Sequence, residues 1–323
     1  MDSKRRVKEL KTGMAPALRE LRFMIDRMNK SPLSIIGITI LLFFGTIALL
    51  APVLAPPVGR DPYMIPRDGW AYTPVPPGTP VSLSILLDKG WQTHLFGTTE
   101  TQFDIYYGCI WGTRTAFRVG FMVVGAALAI SILIGSIAGY YGGIIDELMM
   151  RFTDIIFAFP GLILAMALVT ALGPSLDSVM FALILVGWPS YCRVLRAEIL
   201  RVRQEDFVEA AKAVGCSDFR VILRHVIPNA IYPLLIMASL DIGAIVLSAA
   251  ALSFLGLGAP MGYADWGQMI ARSRNWITGD PANPYQYWYT FIIPGLFIFA
   301  FVLGWNLLGD AFRDILDPTI RRK

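Results

Sequence analysis

The chain has 323 residues, 55% hydrophobic and only 16% charged, with a mean hydropathy of +0.56. That excludes a soluble domain and requires several membrane spans. A net charge of +4 does not call for a nucleic-acid partner, because the cytoplasmic loops of membrane proteins collect Lys and Arg anyway. Cys109, Cys192 and Cys216 share no metal spacing or pairing, and His94 and His225 are too far apart for a cluster, so neither a disulfide framework nor a metal site is expected.

Residues 1–32 form a basic segment with nine Lys/Arg against four acids. Leu10 to Met28 puts Leu18, Leu21, Met24, Ile25 and Met28 on one helical face. This is either a helix on the inner membrane surface or a solvated tail. Leu33–Ala55 is the first apolar run, long enough to cross a bilayer. Its basic lead and apolar part are too long for a cleaved signal, so it reads as an anchor. Residues 56–115 carry eight prolines that break any long helix. Trp70, Tyr72, Trp91, Tyr106, Tyr107 and Trp111 suit either a small lid or docking surface, or aromatics at the membrane interface, and the second reading is preferred.

Five further apolar runs follow. They are Ala116–Gly139, Ile155–Leu172 with a kink expected at Pro160-Gly161, Ser178–Cys192 continuing past the membrane, Ile231–Leu257, and Tyr287–Leu308. Residues 116–310 are thus read as a five-helix core and 311–323 as a tail. Six crossings put both termini on one side. The segments on that side hold 21 Lys/Arg and those on the other hold six, so the positive-inside rule places both termini in the cytoplasm. The expected fold is all-α, a polytopic membrane protein of six transmembrane helices. Small residues crowd the spans, where close backbone approach must replace the hydrophobic push that lipid does not give.

One polar stretch stands apart. Glu205 to Asn229, within the 193–230 loop, reads as a two-helix handle on the cytoplasmic side. Glu205–Val214 forms a short helix that Gly215 ends in the left-handed conformation. Ser217 caps a second helix with Asp218 in its first turn, and Pro228 begins the re-entry. Ala210, Ala211 and Ala213 make the first helix slim enough to enter a groove, with Phe207, Val208 and Val214 as apolar anchors. An ordinary polar loop remains the alternative from the residues alone.

The segment resembles the EAA loop of ABC importer permeases, in Glu209-Ala210-Ala211, Gly215 and Ile227-Pro228, with His225 standing where the family usually has an aliphatic residue. The resemblance extends from about residue 94 to 318. Tyr140-Tyr141-Gly142-Gly143, Phe157-Ala158-Phe159-Pro160-Gly161, Leu252 to Gly258, Trp266-Gly267 and Asn306 to Asp310 are all similar to dipeptide/oligopeptide (peptide/nickel) importer permeases of the second-subunit type. After His94-Leu95-Phe96-Gly97-Thr98 the family's usual Gly-Arg-Asp element is replaced, and only Asp104 is kept.

The resemblance implies half of a translocation pathway, worked by two cytoplasmic ATPase subunits that bind ATP and Mg, beside a second permease subunit and an extracytoplasmic solute-binding protein. It implies a groove contact for Glu209, close approach at Ala210 and Ala211, the turn at Gly215 and the re-entry at Pro228. The chain has no cofactor of its own, and no Gly-x4-Gly-Lys-Ser/Thr phosphate loop occurs in it. Asp241, an acid inside an apolar run, is read either as a pathway residue attracting a cationic peptide terminus or as a structurally paired group. The cargo is read as di- or oligopeptides, with oligosaccharides or nickel as alternatives. A secondary transporter or channel, the rival class, would need more ionisable groups at mid-membrane or an inverted repeat. A membrane enzyme would need a nucleophile–base pair that the sequence does not offer.

Overall fold

The computed structural model describes residues 31–57, 59–81, 93–278 and 283–316. The amphipathic segment Leu10–Met28, Trp91 and the end of the 311–323 tail lie outside these residues. Among them, five helices are long and apolar enough to cross a membrane, or six if one bent pair counts as a span.

Helix α1 (Pro32–Leu54) opens on a proline, whose missing N–H is no loss at a first turn. Helix α2 (Ile105–Tyr141) starts at Asp104, whose carboxylate accepts the Tyr107 N–H at 2.8 Å. At 37 residues it is about 55 Å long, well beyond a hydrocarbon core of about 30 Å. This corrects the reading of 56–115 as one loop. Hydropathy marks only the lipid-exposed part of α2, whereas its first turns are held by aromatic side chains with polar handles. Tyr107 donates its hydroxyl to Pro62 O at 2.7 Å, and Trp111 its indole N–H to Ala55 O at 2.8 Å.

The third span is not the straight run Ile155–Leu172. Helix α3 (Gly143–Phe157) and helix α4 (Gly161–Leu172) meet at 84°. Pro160 has no N–H to continue α3 and pushes the residue before it out of helical backbone, so a new axis starts at Gly161. Twelve residues of α4 reach only about 18 Å, so a crossing here needs both halves.

Helix α5 (Leu176–Val202) begins at Ser175, whose hydroxyl accepts the Ser178 N–H at 3.0 Å. It packs along α2 at backbone range. A Cβ on Gly139 would fall 2.9 Å from Ile199 Cβ and 3.1 Å from Arg196 O. Ser131 Oγ of α2 lies 2.7 Å from Trp188 O of α5. Between α5 and the next span lie three short helices: α6 (Asp206–Ala213), α7 (Asp218–Val221) and, after a π-turn at Ile222–Val226, α8 (Ile227–Ala230). Helix α9 (Tyr232–Phe254) re-enters the bundle, α10 (Trp266–Arg272) lies across its far end, and α11 (Tyr289–Leu316) closes it. Phe44 of α1 meets the rings of Trp266 at 6.0 Å and Phe301 at 5.4 Å, so one aromatic cluster joins α1, α10 and α11.

The alternation of spans gives the molecule two ends. The loop end carries α6–α8. The cap end carries residues 59–81 and 93–104, where a short antiparallel pair, β1 (Thr79–Pro80) and β2 (Thr93–His94), is followed by Asp104 and α2. Tyr63 stacks on Tyr263 at 5.5 Å, and Met64 pairs with Tyr263 through the backbone. The aromatics expected at a membrane interface therefore divide. Tyr107 and Trp111 are buried, while Trp70 and Tyr72 are exposed.

Candidate functional site

The loop-end helices form a two-sided handle. Helix α6 ends in a Schellman turn, with the Gly215 N–H on Lys212 O at 2.9 Å and the Cys216 N–H on Ala211 O at 3.1 Å. Gly215 takes φ +84°, which L-residues avoid. The turn swings the chain back so that α7 lies beside α6. Ser217 has the extended backbone of an N-cap but makes no side-chain cap bond. Pro228 occupies the first turn of α8.

Helical periodicity sorts the handle's side chains. Val208, Ala211, Val221 and Val226 turn inward and join the core with Leu195, Ile199 and Val202 of α5. Phe207, Ala210, Val214 and Phe219 turn outward, with Val214 80% and Phe219 73% exposed. Two expectations change as a result. Val208 is no partner anchor, because it is wholly buried in this chain. Ala211 gives close approach to the bundle, and only Ala210 and Ala213 leave the outer face slim. Glu209 is exposed in the first turn of α6 with Asp206, where their charge complements the helix dipole. Phe219 was not singled out from sequence, although its place two residues after the Ser217 cap was the available signal.

The handle is fixed to the end of α2. Arg203 donates to Gly139 O and Tyr140 O, both at 3.1 Å. Those carbonyls lie in the last turn of α2, where no helical N–H follows to bond them. Tyr140 donates its hydroxyl to Asp218 at 2.7 Å, and Lys212 stands 5.0 Å over the Tyr140 ring. Alongside, Arg196 of α5 grips Asp146 of α3 with two N–H groups, and Arg193 pairs with Asp154. Hydrogen bonds and ion pairs thus tie the handle to α2 and α3 to α5.

Asp241 lies apart from the handle, inside α9. Its carboxylate accepts the Tyr191 hydroxyl of α5 at 2.7 Å, half-buried. The bond gives the acid the partner that an intramembrane carboxylate requires.

At the cap end the sequence hid a constellation. His94 is 2% exposed, with Nδ1 2.6 Å from Asp104 and Nε2 2.9 Å from Asp68. Burial alone would lower its pKa, but the two carboxylates together raise it above the ordinary histidine value. Sequence separation concealed the group, since Asp68 lies 26 residues before His94. Its geometry is an imidazolium bridge, and among the described residues nothing groups three or more metal-ligating side chains. Asp265 caps α10 by accepting the Gln268 N–H at 2.8 Å. Burial pushes its carboxyl up to about 6, with the cap bonds opposing.

The sequence profile of the family described as binding-protein-dependent transport system inner membrane component matches residues 131–322. The dipeptide transport system permease protein DppC of Alkalihalophilus pseudofirmus is 37% identical over 300 residues, 93% of this chain and 90% of that protein. A probable D,D-dipeptide transport system permease protein, DdpC of Escherichia coli, is 42% identical over 225 residues, 70% of this chain and 73% of its own length. A chain of the MetNI methionine ABC transporter in inward-facing conformations superposes with a TM-score of 0.51 at 15% identity, covering 65% of this chain and 96% of that one, a likeness of fold.

Proposed function

The chain belongs to the inner-membrane components of binding-protein-dependent transport systems, and from that membership we propose that it conducts di- or oligopeptides inward as half of a translocation pathway. It is a multi-pass membrane permease, and ATP hydrolysis in this family lies in separate subunits. In the proposed assembly a second permease subunit completes the pathway. Two cytoplasmic ATPases, binding ATP and Mg, close beneath it, and an extracytoplasmic binding protein delivers the peptide. Both termini and the handle face the cytoplasm. The peptide cargo rests on the relatives' names and on the continuity of the match over nearly the whole chain.

The observation that carries the coupling role is the two-sided handle. An apolar outer face at Phe207, Val214 and Phe219 is left for a partner, while the inner face is locked into the bundle. ATPase closure would press on Glu209, Ala210 and the Gly215 turn. The push then passes through Arg203 and Tyr140 to α2, and through Pro228 into α9, as one rigid body. Asp241, bonded to Tyr191, ties α9 to α5 so that the two spans move together.

The test is ATP-driven peptide uptake by the reconstituted transporter. Gly215→Pro cannot adopt φ +84°, and Glu209→Lys reverses an exposed charge. Both variants should insert at normal levels and lose transport, and wild-type uptake by either removes the handle from the coupling path. Asp241→Asn keeps an acceptor for Tyr191, so uptake should survive. A large loss would mean that the charge itself meets the cargo.

A further inference from the structure

At the cap end, a cavity of about 440 Å³ opens between the end of α9, helix α10 and the turn before α5. Its size lies within the roughly 300–1,000 Å³ of small-ligand sites. Arg272, Asn275, Glu100, Gln268 and Ser253 are among the residues that line it, and Glu100 also accepts the Trp276 indole N–H at 3.1 Å.

Two wall atoms carry the argument. Gln268 is 8% exposed; its amide nitrogen donates to Pro260 O at 2.9 Å, yet its Oε1 is buried and has no hydrogen-bond partner among the described residues. Arg272 reaches Thr101 through one terminal nitrogen, and its guanidinium stands 4.9 Å from the Phe103 ring, but its Nε–H is likewise buried and unmatched. Buried polar groups in folded proteins are almost always bonded. One orphan accepts and the other donates; both belong to residues that line the void, which also carries a cation and an anion in Arg272 and Glu100.

We propose that this cavity is a peptide subsite of the permease itself, with Arg272 receiving the C-terminal carboxylate, Gln268 Oε1 a main-chain N–H, and Glu100 the N-terminal ammonium. The inference rests on the peptide reading above and discriminates among cargoes. A neutral sugar oligomer would bring no charge to either group, and a metal cation would face a guanidinium. A peptide supplies alternating donors and acceptors between opposite charged ends. Guanidinium and carboxylate match in planar, charge-assisted pairs.

The experiment measures equilibrium binding of radiolabelled dialanine, its C-terminal amide and its N-acetyl derivative to the solubilised permease–ATPase complex without binding protein. ATP-driven dialanine uptake by the full transporter is measured in parallel. The wild type should bind dialanine more tightly than either capped form. Arg272→Gln should weaken dialanine about tenfold, the scale of one lost charge-assisted pair, while leaving the C-amide unaffected. Glu100→Gln should do the same relative to the N-acetyl form. Should Arg272→Gln fail to assemble, the Glu100→Gln arm decides. Equal weakening of free and capped peptides, or uptake with no saturable binding, overturns the subsite and leaves the cargo reading standing. No dialanine uptake by the wild type overturns the cargo reading and the subsite with it.

Discussion

His94 shows what a single residue can do in the cap. With Asp104 on one ring nitrogen and Asp68 on the other, the imidazole is stabilised in its charged form. Asp104 at the same time caps α2 through Tyr107. Its folded pKa is raised above the unfolded value near 6.5. The stabilisation is therefore fully present below 6.5 and is lost as pH rises through the folded value. Thermal melting of the purified protein in detergent should fall as pH climbs from the ordinary histidine value through the raised one. His94→Gln cannot take up the charge, so its melting temperature should be lower at pH 6 and nearly flat across that window. A wild-type profile as flat as the variant's would show that the bridge is not charged. The sequence displayed His94 and Asp104 as parts of a familiar motif but gave no sign of Asp68. Pairing across a loop depends on a register that no local pattern encodes.

At the scale of elements, the handle was the most legible part. Gly215 and Pro228 are local signals, tied to one backbone conformation and a missing N–H, and they survive any tertiary context, whereas Ser217 keeps the backbone of an N-cap without the cap bond. The facing of α6 was less legible, because a phenylalanine and a valine side by side among three alanines in eight residues fit more than one inward stripe until the bundle selects it. Helix α2 was underread for a related reason. Its first turns are polar-aromatic and packed beneath the cap, outside any hydropathy window. The bend at Pro160 was visible, whereas its size of 84° depends on what α4 packs against. The sorted handle makes a sharp contrast testable. Phe219→Asp changes a side chain that is 73% exposed, so expression and helicity should stay normal. Co-purification of the ATPase subunit should weaken at least tenfold, about 1.4 kcal/mol. Val208→Asp instead places an unpaired charge in the core, a penalty of several kcal/mol, and should cost the chain its stability before any partner is added. If Phe219→Asp binds the ATPase as the wild type does, the outer face is not the contact.

For the whole molecule, the argument turns on which side of the membrane the handle occupies, and the protein carries its own probe. Of its three cysteines, Cys109 and Cys192 are buried within spans, and only Cys216, beside the Gly215 turn, is partly exposed. An impermeant maleimide reaches only accessible thiols, so it should modify Cys216 alone. On the positive-inside rule, the 21-to-six bias of Lys/Arg predicts that this turn faces the cytoplasm. Labelling should therefore occur in inside-out vesicles stripped of peripheral proteins and be absent in sealed right-side-out vesicles, with Cys216→Ser abolishing it. Adding back the ATPase subunit should protect the thiol, because Cys216 lies in the turn between the two short helices that the partner is proposed to cover. Labelling from the outside would reverse the topology and detach the handle from any nucleotide-driven motion. Inside labelling without protection would keep the topology and move the ATPase contact elsewhere on the loop end.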